Sequence, residues 1–475
     1  MIPPRACIPG RIAAALAAGL LLAHCARVPV GDGAERVPMA DPQEIELGRQ
    51  AHQALLEEYA AVDRPALQTY VEGVGQRLVQ QSARAGLPWR FTVLDSPDVN
   101  AFALPDGHVY LTRGILAYLN SEAELAAVIA HEIGHVTARH GVQQPNVPAP
   151  PALESVLAPP ARDRAGTLAL QRLAPAWARG YGAEQELEAG RLAAATLAAV
   201  GYPPQAVAAV AATLKAHAAV ARELPGGHLA AAHHAVFDTD LARLARVVAR
   251  SKAVAAPREG RDDYLQVIAG LHFGDSPDQG VLRDNLLLHA RLGLAMQFPP
   301  GWGVHNRADR VVAMHPAGDA LLELRPGPSR GQPLDALQKG VRLDPGARYD
   351  TGRLGGFPAA FAAGARGGRP VVATAVALDS GQYVIAGMAR DVAAYERERS
   401  ALRAAINSFH AISPAEKRAA RTYSLQLITV RAGQTMAGLA RQSPLSAGAE
   451  VQLRLMNGLY PNGEPEPGQA LKIVQ

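Results

Sequence analysis

Residues 121–140 read SEAELAAVIAHEIGHVTARH, with apolar side chains at Leu125, Val128, Ile129, Ile133 and Val136. Steps of three and four are the period of an α-helix with one buried face. Ser121 followed by Glu124 marks the helix start, where a hydroxyl and a carboxylate can satisfy backbone N–H groups that lack partners inside the helix. His131 and His135 lie four positions apart on that helix. One turn brings both imidazoles onto one face, where they can ligate a single metal ion. Glu132, between them, can take a proton from an attacking water and pass it to a leaving amine while the metal polarises the carbonyl.

A zinc hydrolase site takes a third protein ligand and leaves a fourth position open. Residues 182–192, GAEQELEAGRL, are helical by composition and carry Glu184, Glu186 and Glu188. Carboxylates at alternate positions do not share one helix face, so at most one of the three is expected to reach the metal, and the alternative for the run is a solvated charged face. Cysteine is not expected to contribute, because Cys7 and Cys25 are the only two and both belong to the N-terminal region.

HEIGHVTARHG from His131, NAFALPDGHVYLTRGIL at Asn100–Leu116 and ELEAGR at Glu186–Arg191 together resemble the gluzincin metallopeptidases of the CAAX prenyl protease, HtpX and BepA type, metallopeptidase family forty-eight. The resemblance is close over Asp41–Arg139 and weaker beyond. It implies one Zn2+ per chain, held by His131, His135 and, at the first Glu of the family's E-x-E-A-D pattern, Glu186. Glu132 is then the general base and acid. The chain departs from the family twice. The Asp that ends the pattern stands behind the zinc histidines in the family, and here it is Gly190; losing such a carboxylate implies metal affinity or activity weaker by ~10 to 100-fold. A His-Pro pair upstream of an Arg is replaced by Phe237-Asp238 before Arg243. Arg243, together with His233 and His234, which lie three or four residues before Phe237, is therefore a candidate for support behind the metal ligands or of the transition state.

The chain of 475 residues predicts a multidomain protein. A net charge of +4 without any basic run excludes a nucleic-acid surface. Residues 1–25 read as a signal peptide: Arg5 and Arg11 precede an apolar run, Ile12–Ala23, too short to span a bilayer. Leu22-Ala23-His24-Cys25 resembles a bacterial lipobox, with His24 as a departure. It implies lipidation of Cys25 and attachment to a membrane, with the protein in the periplasm on the outer membrane.

Residues 26–40 read as a tether, and 41–256 as a mainly α zincin-like metallopeptidase domain with a small β element. Within it we expect helices over Pro42–Ala61 and Pro65–Ala85, a strand at Trp89–Leu94 and a hairpin over Val99–Thr112 turning at Pro105-Asp106-Gly107. Gln143–Arg164 is a Pro-rich loop, and an Ala-rich helix over Leu168–Val220 breaks at Gly201–Pro204. Residues 257–289 read as a linker and 290–413 as an α+β accessory domain, faintly resembling PsbP or Mog-type domains. In 424–475, the blocks VRAGQTMAGLA, LMNGL and PGQALKIV resemble a LysM module, a βααβ unit that binds N-acetylglucosamine-containing glycans. Peptidoglycan is the partner this implies.

The reading is a zinc metalloendopeptidase of the bacterial cell envelope, acting on misfolded or misassembled proteins. The alternative is a catalytically weak relative serving as a chaperone or wall-binding scaffold.

Overall fold

A computed structural model describes residues 42–143, 181–223, 240–307, 309–328, 331–445 and 448–475. The expected signal segment with Cys25, the tether, most of the Pro-rich loop, His233, His234 and Phe237 lie outside them.

Two helices open the described chain, α1 at Pro42–Glu58 and α2 at Pro65–Val79. Pro65 sits at the first turn of α2, where a missing N–H costs no hydrogen bond. Three short strands follow: β1 (Arg90–Leu94), β2 (Ala101–Ala103) and β3 (His108–Thr112). Their order is β1-β3-β2, parallel between β1 and β3 and antiparallel between β3 and β2, so β2 is an edge. The expected hairpin is the β2–β3 pair, and Gly107 takes a φ of +99° at its turn. Next come α3 (Arg113–Tyr118), α4 (Glu122–Thr137), α5 (His140–Gln143), α6 (Ala183–Val200), α7 (Ala206–Glu223), α8 (Leu241–Val248) and α9 (Arg261–Ile268).

The histidine-bearing helix α4 is the axis of this lobe. Leu125, Ala126, Ile129 and Ala130 are fully buried. Ser121 caps it by accepting from the Glu124 N–H at 3.2 Å, and the Glu124 carboxylate accepts from the Asn120 N–H at 2.7 Å. Ion clusters around the buried carboxylates Glu122 and Glu44 hold both ends. At the N-terminus the Glu122 carboxylate, 1% exposed, accepts from the Tyr202 hydroxyl at 2.6 Å and pairs with Arg77 at 2.9 Å and Arg258 at 2.6 Å. Burial alone would raise its pKa; the hydrogen bonds from Tyr202 and Tyr70 and the charges of Arg77 and Arg258 outweigh it and hold it below the usual carboxylate range. At the C-terminus, Arg84 donates to the Val136 carbonyl at 2.7 Å and to Glu44 at 3.0 Å, and Glu44 also pairs with Arg139 at 2.9 Å. A basic side chain on the last carbonyls also suits the helix dipole.

The accessory region is built on a seven-stranded antiparallel sheet: strands 348–354, 357–366, 369–378, 381–389, 320–326, 311–314 and 303–306, in that order. Helix Val392–Asn407 covers one face through Leu402 and Ile406, and helix Pro333–Gly340 the other through Leu337. Val371 and Val372, or Val384 and Ile385, point to opposite cores. With both faces covered, these strands read as continuous apolar runs.

Two sequence expectations need correction. Residues 257–289 are not a bare linker: Tyr264, Leu265 and Ile268 of α9 are buried in the core around α4. Strands 281–283 and 286–289 belong to a second, four-stranded sheet. The apolar residues of α9 are too few to stand out beside the Pro and charged residues before them.

The C-terminal segment does run strand Tyr423–Thr429, helix Met436–Ala440, helix Ala449–Met456, strand Ala470–Val474. It is not free-standing, however. Leu425, Leu453, Met456 and Leu471 share one apolar core with α4, and strand 423–429 also pairs with residues 272–273. Lys472 is fully buried and donates to the carbonyls of Ala117 at 2.8 Å and Leu119 at 2.5 Å, at the end of α3, while Arg261 bridges Asn120 and Ala470.

Burial pushes the Lys472 ammonium from 10.5 down to about 7, against the pull of Glu124 and with Arg261 adding to the fall. Above pH 7 the unfolded chain then binds more protons at this site than the folded one, so unfolding free energy should rise with pH from 7 to about 9. Equilibrium denaturation should show this slope in the wild type and its loss in Lys472→Met. At pH 9 the variant should be less stable by about 1–3 kcal/mol, since two buried carbonyls lose their donor.

Candidate metal centre

The centre forms where α4 crosses α6. Gly134 faces Ala189, and a Cβ at 134 would stand 3.0 Å from the Ala189 carbonyl oxygen and 3.2 Å from its Cα. The missing side chain therefore permits a close helix approach, which carries Glu186 over the two histidines. His131 Nε2 lies 2.9 Å from His135 Nε2 and 3.2 Å from Glu186 Oε2, and His135 Nε2 lies 3.8 Å from the same oxygen. These separations bracket the ~3.3 Å edge of a tetrahedron with metal–ligand bonds of ~2.0–2.1 Å. His135 and Glu186 are buried, and the three could hold one metal ion. Two imidazoles and a carboxylate are a zinc donor set, and the narrow spacing suits zinc better than a larger, oxygen-preferring cation.

Glu132 is 2% exposed and lines the same cavity as His131 and Glu186. That cavity holds about 550 Å³, part of it open to solvent. Apart from Asn100, its other walls are apolar, from Val99 and Ala101 at the β2 edge, Val128, Val210 and Leu244. Such walls restrict water and strengthen any charge interaction inside.

The three alternate carboxylates of α6 have three different partners. Glu186 meets the histidine pair, Glu188 meets His140 at 3.3 Å, and Glu184 pairs with Arg243. Arg243 is thereby held at an exposed position by Glu184, which lowers the carboxyl pKa and raises that of the guanidinium. The structure does not bring it to the histidines.

Sequence reading missed two neighbours. His140, 1% exposed, places Nδ1 2.9 Å from His135 Nδ1, and burial lowers its pKa, which Glu188 only partly opposes. Tyr181 stacks on the His135 ring at 4.0 Å between centroids and 21° between planes. Burial, helped by Glu132 and Glu186, raises its phenol pKa, so it stays protonated. His140 stands in the quoted stretch five residues after His135, but a side chain beyond the helix end gives no periodic signal. Tyr181 precedes α6 with none.

Gly190 also differs from expectation. A Cβ there would come 2.6 Å from Leu244 Cδ1 and 3.9 Å from Val207 Cγ1. The space beside it is filled by buried apolar side chains, with no polar group among these nearest atoms to receive a carboxylate.

Residues 65–248 match Peptidase family M48. The Beta-barrel assembly-enhancing protease of Escherichia coli is 33% identical over 175 residues, covering 35% of this chain and 36% of that protein. The Mitochondrial metalloendopeptidase OMA1 of Schizosaccharomyces pombe is 32% identical over 124 residues, covering 26% of this chain and 37% of its own. The matched stretch thus spans just over a third of these relatives' length. Among solved structures, the PsbP protein of Synechocystis aligns at 15% identity and a TM-score of 0.21, over 28% of this chain and 96% of its own.

Two substitution experiments follow from this geometry. In a competitive zinc titration, Glu186→Ala should weaken binding by more than the ~10 to 100-fold typical of losing an outer partner, while Glu184→Ala stays near wild type. Gly190→Asp, which restores the family residue, should lower the melting temperature without tightening zinc binding, because its carboxylate would be set against Leu244 and Val207.

Proposed function

Residues 65–248 are a domain of peptidase family M48, and on that premise we propose that the protein is a zinc-dependent endopeptidase of the bacterial cell envelope. The observation that carries the reading is the convergence of His131, His135 and Glu186 beside a buried Glu132 in an apolar cavity. His131, His135 and Glu186 are the proposed ligands of one Zn2+, which when bound polarises the scissile carbonyl and acidifies the attacking water. Glu132 takes the proton of that water and returns it to the leaving amine nitrogen. Its burial beside the histidines and apolar walls limits the orientations open to it.

Protein substrates would enter as extended backbone. The β2 strand is a sheet edge, and Ala101 of that strand lines the cavity with Asn100 beside it. A segment pairing with such an edge is held through its main chain, largely independent of its side chains. That suits a peptidase acting on misfolded or misassembled proteins, the role we propose, in keeping with a relative named Beta-barrel assembly-enhancing protease.

The periplasmic, outer-membrane location and the lipid anchor at Cys25 are proposals supported by the Leu22–Cys25 pattern and by Arg5, Arg11 and the apolar run after them. No described helix is long and apolar enough to cross a membrane. Peptidoglycan binding by residues 424–475 is proposed on their LysM-like sequence blocks and βααβ order. The intact donor triangle argues against the inactive-scaffold alternative.

Glu132→Gln should keep its zinc by metal analysis yet lose casein cleavage by about 100-fold or more, because the amide matches the carboxylate in shape but cannot take the proton. A chelator should abolish cleavage by the wild type, and added zinc restore it. Retained turnover in the variant would overturn the assignment.

A further inference from the structure

We propose that His140 and Glu188 form a positioning relay that fixes the proton and ring plane of His135, in place of the carboxylate that Gly190 does not supply. The proposal rests on the metal-site reading above and extends it to groups behind the ligands.

The contacts fix the protons in sequence. Glu188 presents a carboxylate to His140 Nε2 at 3.3 Å. An ionised carboxylate only accepts, so the His140 proton belongs on Nε2 and its Nδ1 carries a lone pair. That Nδ1 lies 2.9 Å from His135 Nδ1. Two ring nitrogens at this distance share one proton, which must therefore sit on His135 Nδ1. His135 is then left with its lone pair on Nε2, the nitrogen that faces His131 and Glu186. A metal needs that tautomer, and a hydrogen bond to the opposite nitrogen both selects it and makes the ligand more basic.

The backbone is shaped to place these groups. Arg139, between the end of α4 and His140, has a φ of +59°, uncommon for a residue with a side chain. Its pairing with buried Glu44 at 2.9 Å helps hold that turn, which folds the chain back so that His140 lies behind His135. On α6, Glu188 is two positions beyond Glu186, so one helix serves the ligand shell and the groups behind it. Tyr181, stacked on His135, closes one face of the ring and restricts its rotation.

The test compares His140→Phe, His140→Gln and Glu188→Ala with wild type in the full chain, with Glu186→Ala as the control for the metal site. Zinc affinity is read by competition with a chromophoric chelator. The His135 tautomer is read from ring 15N shifts of the metal-free protein. His140→Phe should weaken zinc by ~10 to 100-fold and shift His135 toward the Nε2–H form. His140→Gln should recover most of the affinity, since its amide can accept from His135 and donate to Glu188, a rescue that packing alone would not give.

Glu188 is half exposed, so Glu188→Ala should remain folded. It should show a smaller loss with the same tautomer shift. Wild-type affinity and tautomer in His140→Phe, or in a folded Glu188→Ala, would overturn the relay while a weakened Glu186→Ala still upheld the metal site. Unchanged affinity in Glu186→Ala would instead overturn the metal site itself.

Discussion

The site depends on how closely two helices can approach. A tetrahedral donor triangle drawn from α4 and α6 requires their backbones to come together where Gly134 meets Ala189. A side chain at 134, 3.0 Å from the Ala189 carbonyl oxygen, would push the helices apart by roughly a few tenths of an ångström, which is already the tolerance of metal ligation. The glycine inside the histidine motif is therefore part of the site's geometry although it offers no ligand atom. The same logic explains why α4 is held at both ends by ion clusters around buried carboxylates: a ligand pair one turn apart is useful only on a helix whose position does not drift.

The chemistry was legible in the sequence because it is local. His131, Glu132 and His135 fall within five residues, and a helix period fixes their relation. The helices, β1 and the β2–β3 hairpin around them were readable from the same kind of pattern. What lay beyond reach was set by tertiary contact. Nothing in Glu184, Glu186 and Glu188 says which partner each will meet; the family resemblance pointed to Glu186, and the crossing of α4 and α6 assigns all three. Strands 348–354 and 357–366 carry weak sequence signals for compositional reasons. The first, RYDTGRL, is exposed along nearly its whole length, and the second, FPAAFAAGAR, is built largely of Ala and Gly, which give weak strand signals.

Gly190 shows how a family comparison can mislead about chemistry. Read against a pattern, it is a missing carboxylate and a weakened site. In the fold it is a small residue under Leu244, with a carboxylate and an imidazole already behind His135 from other positions. Loss at one position is informative only when the volume around it is known.

The burial of Lys472 against α3 has a kinetic consequence. Its amine bonds to Ala117, 355 positions earlier in the chain, just ahead of the helix that carries the histidines. Contacts of such long sequence separation form late, because the entropy of closing the intervening chain must be overcome first. The core around α4 is therefore incomplete until strand 470–474 has been synthesised and has docked. A growing chain would pass through a long interval with the helix that carries His131 and His135 only partly packed, its partner surface more than three hundred residues from emerging.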